Sequence, residues 1–220
     1  MPMHKMAKTD RMLAYALAGA AGFVDAAGFL SADRYFVSFM SGNTTRLGVE
    51  LARGSAAALI AGGLLAGFVL GVALGAMVAD RLDRRHKSGV IALCAALLLA
   101  GALAGSLGST AGFLGLSVLA MGALNNVFRQ RGEVALGVTY MTGALVRVGE
   151  GLAGWLAGTG RGRKGLLPSL LLWASLSLGG LIGALCFLRL GDVAPWLAAG
   201  WLALLALAAR RSEAGAPQPS

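Results

Sequence analysis

The chain has 220 residues, of which 57% are hydrophobic and 13% charged, and its mean hydropathy is +0.73. A soluble domain carries about 25% charged residues, so the composition excludes a water-soluble globule and points to an integral membrane protein. The net charge of +9 calls for no nucleic-acid partner, because the basic residues fall between apolar runs, where they orient a chain in a bilayer.

The first apolar run covers residues 12–32. Lys5, Lys8 and Arg11 precede it as in a signal peptide. The run is long, however, Asp25 interrupts it and further runs follow, so a retained helix is expected. Those runs are 56–79, 89–107, 111–128, 166–188 and 193–209. Each is close to the ~20 apolar residues that cross a hydrocarbon core. Backbone groups in lipid must be satisfied within the protein, so the runs are expected to be helices. Segments 35–52 and 134–153 are only moderately apolar and read as re-entrant or partly buried half-helices. Six crossings with the N-terminus inside place 15 Lys and Arg inside and 4 outside. Letting both extra segments cross removes that bias. The positive-inside rule therefore favours six spans with both termini cytoplasmic. Cys94 and Cys186 fall in spans as small hydrophobes, and His4 and His86 lie in charged loops. No metal site or cofactor is expected. Trp155, Trp173, Trp196 and Trp201 are expected at the membrane interfaces, and residues 211–220 as a disordered tail.

Residues 38–49 read SFMSGNTTRLGV and residues 139–150 read TYMTGALVRVGE. At a constant shift of 101 positions, Met40, Gly42, Arg46 and Gly48 fall on Met141, Gly143, Arg147 and Gly149. The same shift sets Asp25 opposite Asn126. Downstream, Gly63, Gly67, Gly71 and Gly75 share one helix face. Ser175, Gly179 and Gly183 match the last three if a few residues are inserted around Arg161–Pro168. The halves are then 1–108 and 109–220. Three crossings in each would turn the second upside down, the inverted-repeat arrangement of many secondary transporters.

The stretch GFVDAAGFL followed by FVSFMSGNTTRLG resembles the YoaK-like family, domain of unknown function 1275, whose hallmark is a GFVDA-type run and a TGN-type segment. Asp25, Gly42, Asn43 and Gly48 carry the resemblance, with Ser41 in place of the more usual Thr. LNNVFR and TYMTGALVRVGE, with Asn125, Thr142 and Gly143, resemble the family's second half. The resemblance implies a bacterial inner-membrane protein of about six spans and implies no activity.

Asp25 is a carboxylate inside a span, where insertion costs roughly 2.5–3.5 kcal/mol. It serves either an ion or proton pathway, or a structural role by pairing with Arg46 or Arg147 or capping a motif segment. Ser41, Gly42, Asn43 and Thr44 read as a helix start, and Thr142 and Gly143 repeat it. Helix starts within a membrane offer free N–H groups to an anion. Arg46 and Arg147 follow one turn later and either join such a site or snorkel to headgroups. Asn125 and Asn126 complete the candidate binding set. The glycine ladder with Ser175, Gly179 and Gly183 reads as close helix packing, and a homodimer through it is a further expectation. No HExxH, GxSxG or P-loop is present, so an enzyme is not expected. A transporter or channel for a small solute, with anions among the candidates, is the leading expectation, and a non-catalytic membrane partner the alternative.

Overall fold

The computed structural model describes residues 3, 6–130, 133–134, 136–160 and 162–215. His4, Lys5, Arg131 and Arg161 lie outside them. The fold is all-α: α1 (Lys8–Ser31), α2 (Met40–Ala52), α3 (Ala57–Leu82), α4 (His86–Ser106), α5 (Thr110–Leu124), α6 (Met141–Leu156), α7 (Arg163–Leu190) and α8 (Ala194–Ala214). Between α5 and α6, a two-residue antiparallel ladder joins β1 (Arg129–Gln130) to β2 (Glu133–Val134).

Three stretches are long and apolar enough to cross a membrane: Lys8–Ser31, Ala57–Ser106 and Lys164–Ala214. The second and third are interrupted by the 3-10 turns Asp83–Arg85 and Gly191–Val193. Each turn opens on a positive φ, +41° at Asp83 and +53° at Gly191. Glycine takes that conformation without a Cβ penalty, and Asp tolerates it better than most residues. Around the bundle, Leu59 is 80% exposed, Val69 66% and Leu188 70%. Leucine and valine surface this continuous belongs in hydrocarbon, not water.

Buried side chains come mainly from α1 and α5, including Leu17, Val24, Val118, Met121 and Leu124. Ile91 and Leu98 of α4 and Leu202 of α8 complete the core. α1 packs most extensively on α7, and α5 on α3 and α4. Two of these interfaces are made alike. A Cβ added at Gly179 or Gly183 of α7 would overlap the backbone of Gly19 or Phe23 of α1. One added at Gly71 or Gly75 of α3 would overlap that of Leu119 or Ala123 of α5. From the other side, Gly22 abuts the Leu176 carbonyl and Gly122 the Phe68 carbonyl. Residue numbers rise together along both interfaces, so each pair runs parallel. Apolar burial drives no association in lipid, and such backbone approach replaces it with van der Waals contact.

The structure corrects several expectations. Gly63 is exposed, with no atom within 4 Å of an added Cβ, and Gly67 would meet only the Val118 side chain. Ser175 turns its hydroxyl to the Leu171 carbonyl at 2.8 Å. The closest approaches are those of Gly71, Gly75, Gly179 and Gly183, and Gly67 and Ser175, whose carbonyl lies 3.5 Å from a Cβ added at Gly19, border them on the same two interfaces within the chain. α5 stops at Leu124, not at 128, and its 15 residues span only ~22 Å. Lys164–Pro168 is helical, so the inserted residues are not confined to a loop but are shared between the end of α6, the connection 157–162 and the start of α7. Residues 211–214 continue α8 instead of starting a disordered tail, while 216–220 lie outside the described residues.

Polar contacts identify the two ends of the bundle. Lys87 pairs with Asp10 at 2.6 Å, and Glu213 accepts the Lys87 N–H at 3.0 Å. Arg129 pairs with Asp80 at 2.6 Å. The start of α1, the α3–α4 turn, the exit from α5 and the end of α8 therefore gather at one end. At the other, Tyr35 donates to the Ala57 carbonyl at 3.2 Å and Trp196 to Ser106 at 3.1 Å.

Candidate functional site

Beyond Ser31 the chain turns back through Asp33 and Arg34, at φ +42° and +63°. The return brings Val37 and Ser38 beside Asp25, well inside α1. Their N–H groups donate to Asp25 Oδ1 at 2.7 and 2.8 Å. Asn43, buried in α2, reaches back to the same loop. Its Oδ1 accepts the Phe36 N–H at 3.1 Å and its Nδ2 donates to the Phe36 carbonyl at 2.7 Å. Donors left unpaired at this depth would cost about 1–3 kcal/mol each. Asp25 and Asn43 thus clamp the loop that launches α2. Asp25 meets backbone N–H groups here, not Arg46 or Arg147.

The second half repeats the arrangement with a neutral residue. Asn125 Oδ1 accepts from the Thr139 N–H at 3.4 Å and its hydroxyl at 3.1 Å. The counterpart of Asp25 is therefore Asn125, not Asn126. Asn126 turns to α3 and donates to the Val72 carbonyl at 2.9 Å. The separation from acceptor to donor is 13 residues in the first half and 14 in the second, which an ungapped alignment misses by one.

Both half-helices start in the same way. Phe39 precedes α2 at φ −91°, ψ 77°, and Tyr140 precedes α6 at φ −87°, ψ 72°. The Met40 N–H donates to the Ser38 carbonyl at 3.2 Å and the Met141 N–H to the Thr139 carbonyl at 3.0 Å. The Phe39 ring lies against Gly42 and the Tyr140 ring against Gly143, 2.7 and 2.6 Å from where a Cβ would stand. The motif glycines make room for an aromatic ring. Phe39, not Ser41 or Asn43, occupies the N-cap position. Gly42 and Asn43 already donate to the Phe39 carbonyl, at 3.2 and 3.4 Å. The α2 start is accordingly poorer in free donors than its sequence implies. Ser41, Thr44 and Thr142 are exposed.

The two arginines differ. Arg46 stacks over the Tyr35 ring at 3.7 Å and bonds Asp33 through its carbonyl and, at 2.8 Å, its carboxylate. Arg147 donates from Nε to the buried Ser169 hydroxyl at 3.3 Å and pairs with no carboxylate among the described residues. α2 packs on α3 and α6 on α7. Sequence reasoning missed Asp33, Tyr35, Phe36 and Ser169. Asp33 and Tyr35 stand in the loop before the motif, and a search for partners of Arg46 there would have found them. Among the described residues, no group of three His, Cys, Asp or Glu is placed to hold a metal.

Lipid-facing leucine surface, long apolar helices and polar clamps inside them define an all-α membrane protein. The family described as "Protein of unknown function (DUF1275)" matches residues 13–208. UPF0700 transmembrane protein RA0705 of Rhizobium meliloti (strain 1021) is 38% identical over 186 residues, 84% of this chain and 79% of that protein. The chain belongs to the DUF1275 family. No solved structure matches it.

Proposed function

We propose that the chain is a small secondary transporter or channel for a small solute, built from two inverted three-crossing halves, 1–108 and 109–220. In this reading α1, α3 and α4 cross in one half and α5, α7 and α8 in the other. α2 and α6 enter from opposite faces as half-helices. Support comes from contacts made twice: α1 on α7 and α5 on α3, both parallel and both glycine-mediated. Half-helices at a repeat interface are where secondary transporters hold substrates and coupling ions. The uneven distribution of Lys and Arg, 15 against 4, supports an inner-membrane orientation with both termini cytoplasmic.

The observation that carries the reading is Asp25, an ionisable group within a span that accepts both loop N–H groups leading into α2. Asn125 fills the matching place and cannot titrate. Asp25 can take up and release a proton while its carbonyl oxygen still accepts from Val37 and Ser38, so in this reading it carries the coupling proton without dismantling the clamp. Arg147, which pairs with no carboxylate among the described residues, suits an anionic solute better than Arg46. The test is uptake of small anionic and neutral solutes into proteoliposomes with and without a pH gradient. Gradient-dependent uptake that Asp25→Asn abolishes supports the reading, provided helix content and melting are retained. Uptake with the same pH response in Asp25→Asn overturns the coupling role.

A second reading, a non-catalytic membrane partner, is favoured by one observation. Ser41, Thr44, Thr45 and Gly48 form an exposed face of α2, and small hydroxyl-bearing faces pack on other helices in lipid. Absence of flux together with stoichiometric copurification of one membrane protein, lost in Thr45→Leu, would select it.

A further inference from the structure

Between the start of α1 and the end of α8 lies a groove of about 860 Å³. Its depth is apolar, lined by Met12 and Leu13 of α1 and Leu205 and Ala208 of α8. Trp201 closes the deep end, its indole N–H directed at the Ala16 carbonyl at 3.5 Å. Glu213 lies ~18 Å further along α8, close to the ~15 Å depth of one leaflet of a ~30 Å hydrocarbon core.

The mouth of the groove is polar and unevenly charged. Asp10 is held by the Lys87 ammonium at 2.6 Å. Glu213 accepts the Lys87 N–H at 3.0 Å and the Ser88 hydroxyl, and so satisfies donors at the start of α4. Both carboxylates are thus committed to the fold. Lys8 and Arg84 line the same mouth, exposed, and neither joins an ion pair among the described residues.

We propose that this groove is a binding site for one anionic phospholipid, its phosphate on Lys8 and Arg84 and an acyl chain running down to Trp201. An apolar cleft open to hydrocarbon is filled by the chains that surround it, and the two uncommitted cations select the headgroup. Basic pockets between membrane helices select anionic lipids on the same grounds. The site requires only that the bundle spans a bilayer, and it stands or falls separately from any transport activity.

The test uses the full chain with Trp155, Trp173 and Trp196 replaced by Phe, so that Trp201 alone fluoresces. It is reconstituted in phosphatidylcholine containing a minor fraction of phosphatidylglycerol brominated on its acyl chains, or the same fraction of brominated phosphatidylcholine. Brominated phosphatidylglycerol is expected to quench Trp201 at much lower mole fraction and to saturate as a single site. Lys8→Gln and Arg84→Gln are each expected to cut that preference by about fivefold. Ala208→Phe, which fills the groove and leaves the cations in place, is expected to abolish the excess quenching. Both cations are exposed, so circular dichroism should report unchanged helix content in these variants. Equal quenching by the two brominated lipids, or a preference that survives loss of both cations, overturns the proposal. Displacement of the bound lipid by millimolar inorganic phosphate would assign the site to free phosphate and also overturn it.

Discussion

The Asp25 oxygen that accepts from Val37 and Ser38 is matched at Asn125 by an amide oxygen that accepts from Thr139. The structural task needs an acceptor, not a charge. Asp25→Asn is therefore expected to keep the loop in place and to leave the melting temperature in detergent nearly unchanged. Asp25→Ala leaves two N–H groups unpaired and should cost about 2–6 kcal/mol, since each buried orphan costs ~1–3 kcal/mol. Equal destabilisation by Asn and Ala would mean that the charge itself holds the loop. The prominence of Asp25 was legible in the sequence, because a carboxylate within an apolar run stands out. Its partners were not, since backbone N–H groups of Val37 and Ser38 leave no mark in a sequence. The role of Arg46 was hidden for a related reason: its partners Asp33 and Tyr35 look like ordinary loop residues until the chain turns back.

Helix by helix, the apolar runs announced α1, α3, α4, α7 and α8 to within a few residues, because hydrophobic length is set by the bilayer. The end of α5 was misjudged, since Val127 and Phe128 continue the apolar composition after the helix has stopped at Leu124. The glycine spacing of α3 and α7 was equally visible, but spacing alone does not say which glycines meet a neighbour. Gly63 and Gly179 separate the two cases. At Gly179 an added methyl collides with the Gly19 backbone, which cannot rotate away as a side chain can. Gly179→Ala should destabilise the bundle by about 1–3 kcal/mol, the range for overpacking. At Gly63 an added methyl meets nothing, so Gly63→Ala should be neutral or stabilising by up to ~1 kcal/mol, the helix-propensity gain. Thermal unfolding of both variants in one detergent gives the comparison. A destabilised Gly63→Ala would mean that its face is covered in the native membrane assembly.

For the whole molecule, each half-helix has its own side of the bundle, and the turns that follow them offer a direct reading of topology. Arg53 and Ala157 end α2 and α6 and are exposed. If the halves are inverted, Arg53 lies with Tyr35, Ala57 and Trp196, away from the termini. Ala157 then lies with Asp10, Lys87 and Glu213. After replacing Cys94 and Cys186 with Ala, single cysteines at Arg53→Cys and Ala157→Cys should react with an impermeant thiol reagent from opposite faces of oriented membranes. Cys94 is buried and its thiol reaches the Ala120 carbonyl at 3.2 Å, so melting of the cysteine-free chain must be checked first. Labelling of both sites from one face would require parallel halves. The shared contacts of Gly22 with Leu176 and Gly122 with Phe68 would then reflect a common packing rule for small residues, and alternating access between halves would lose its physical basis.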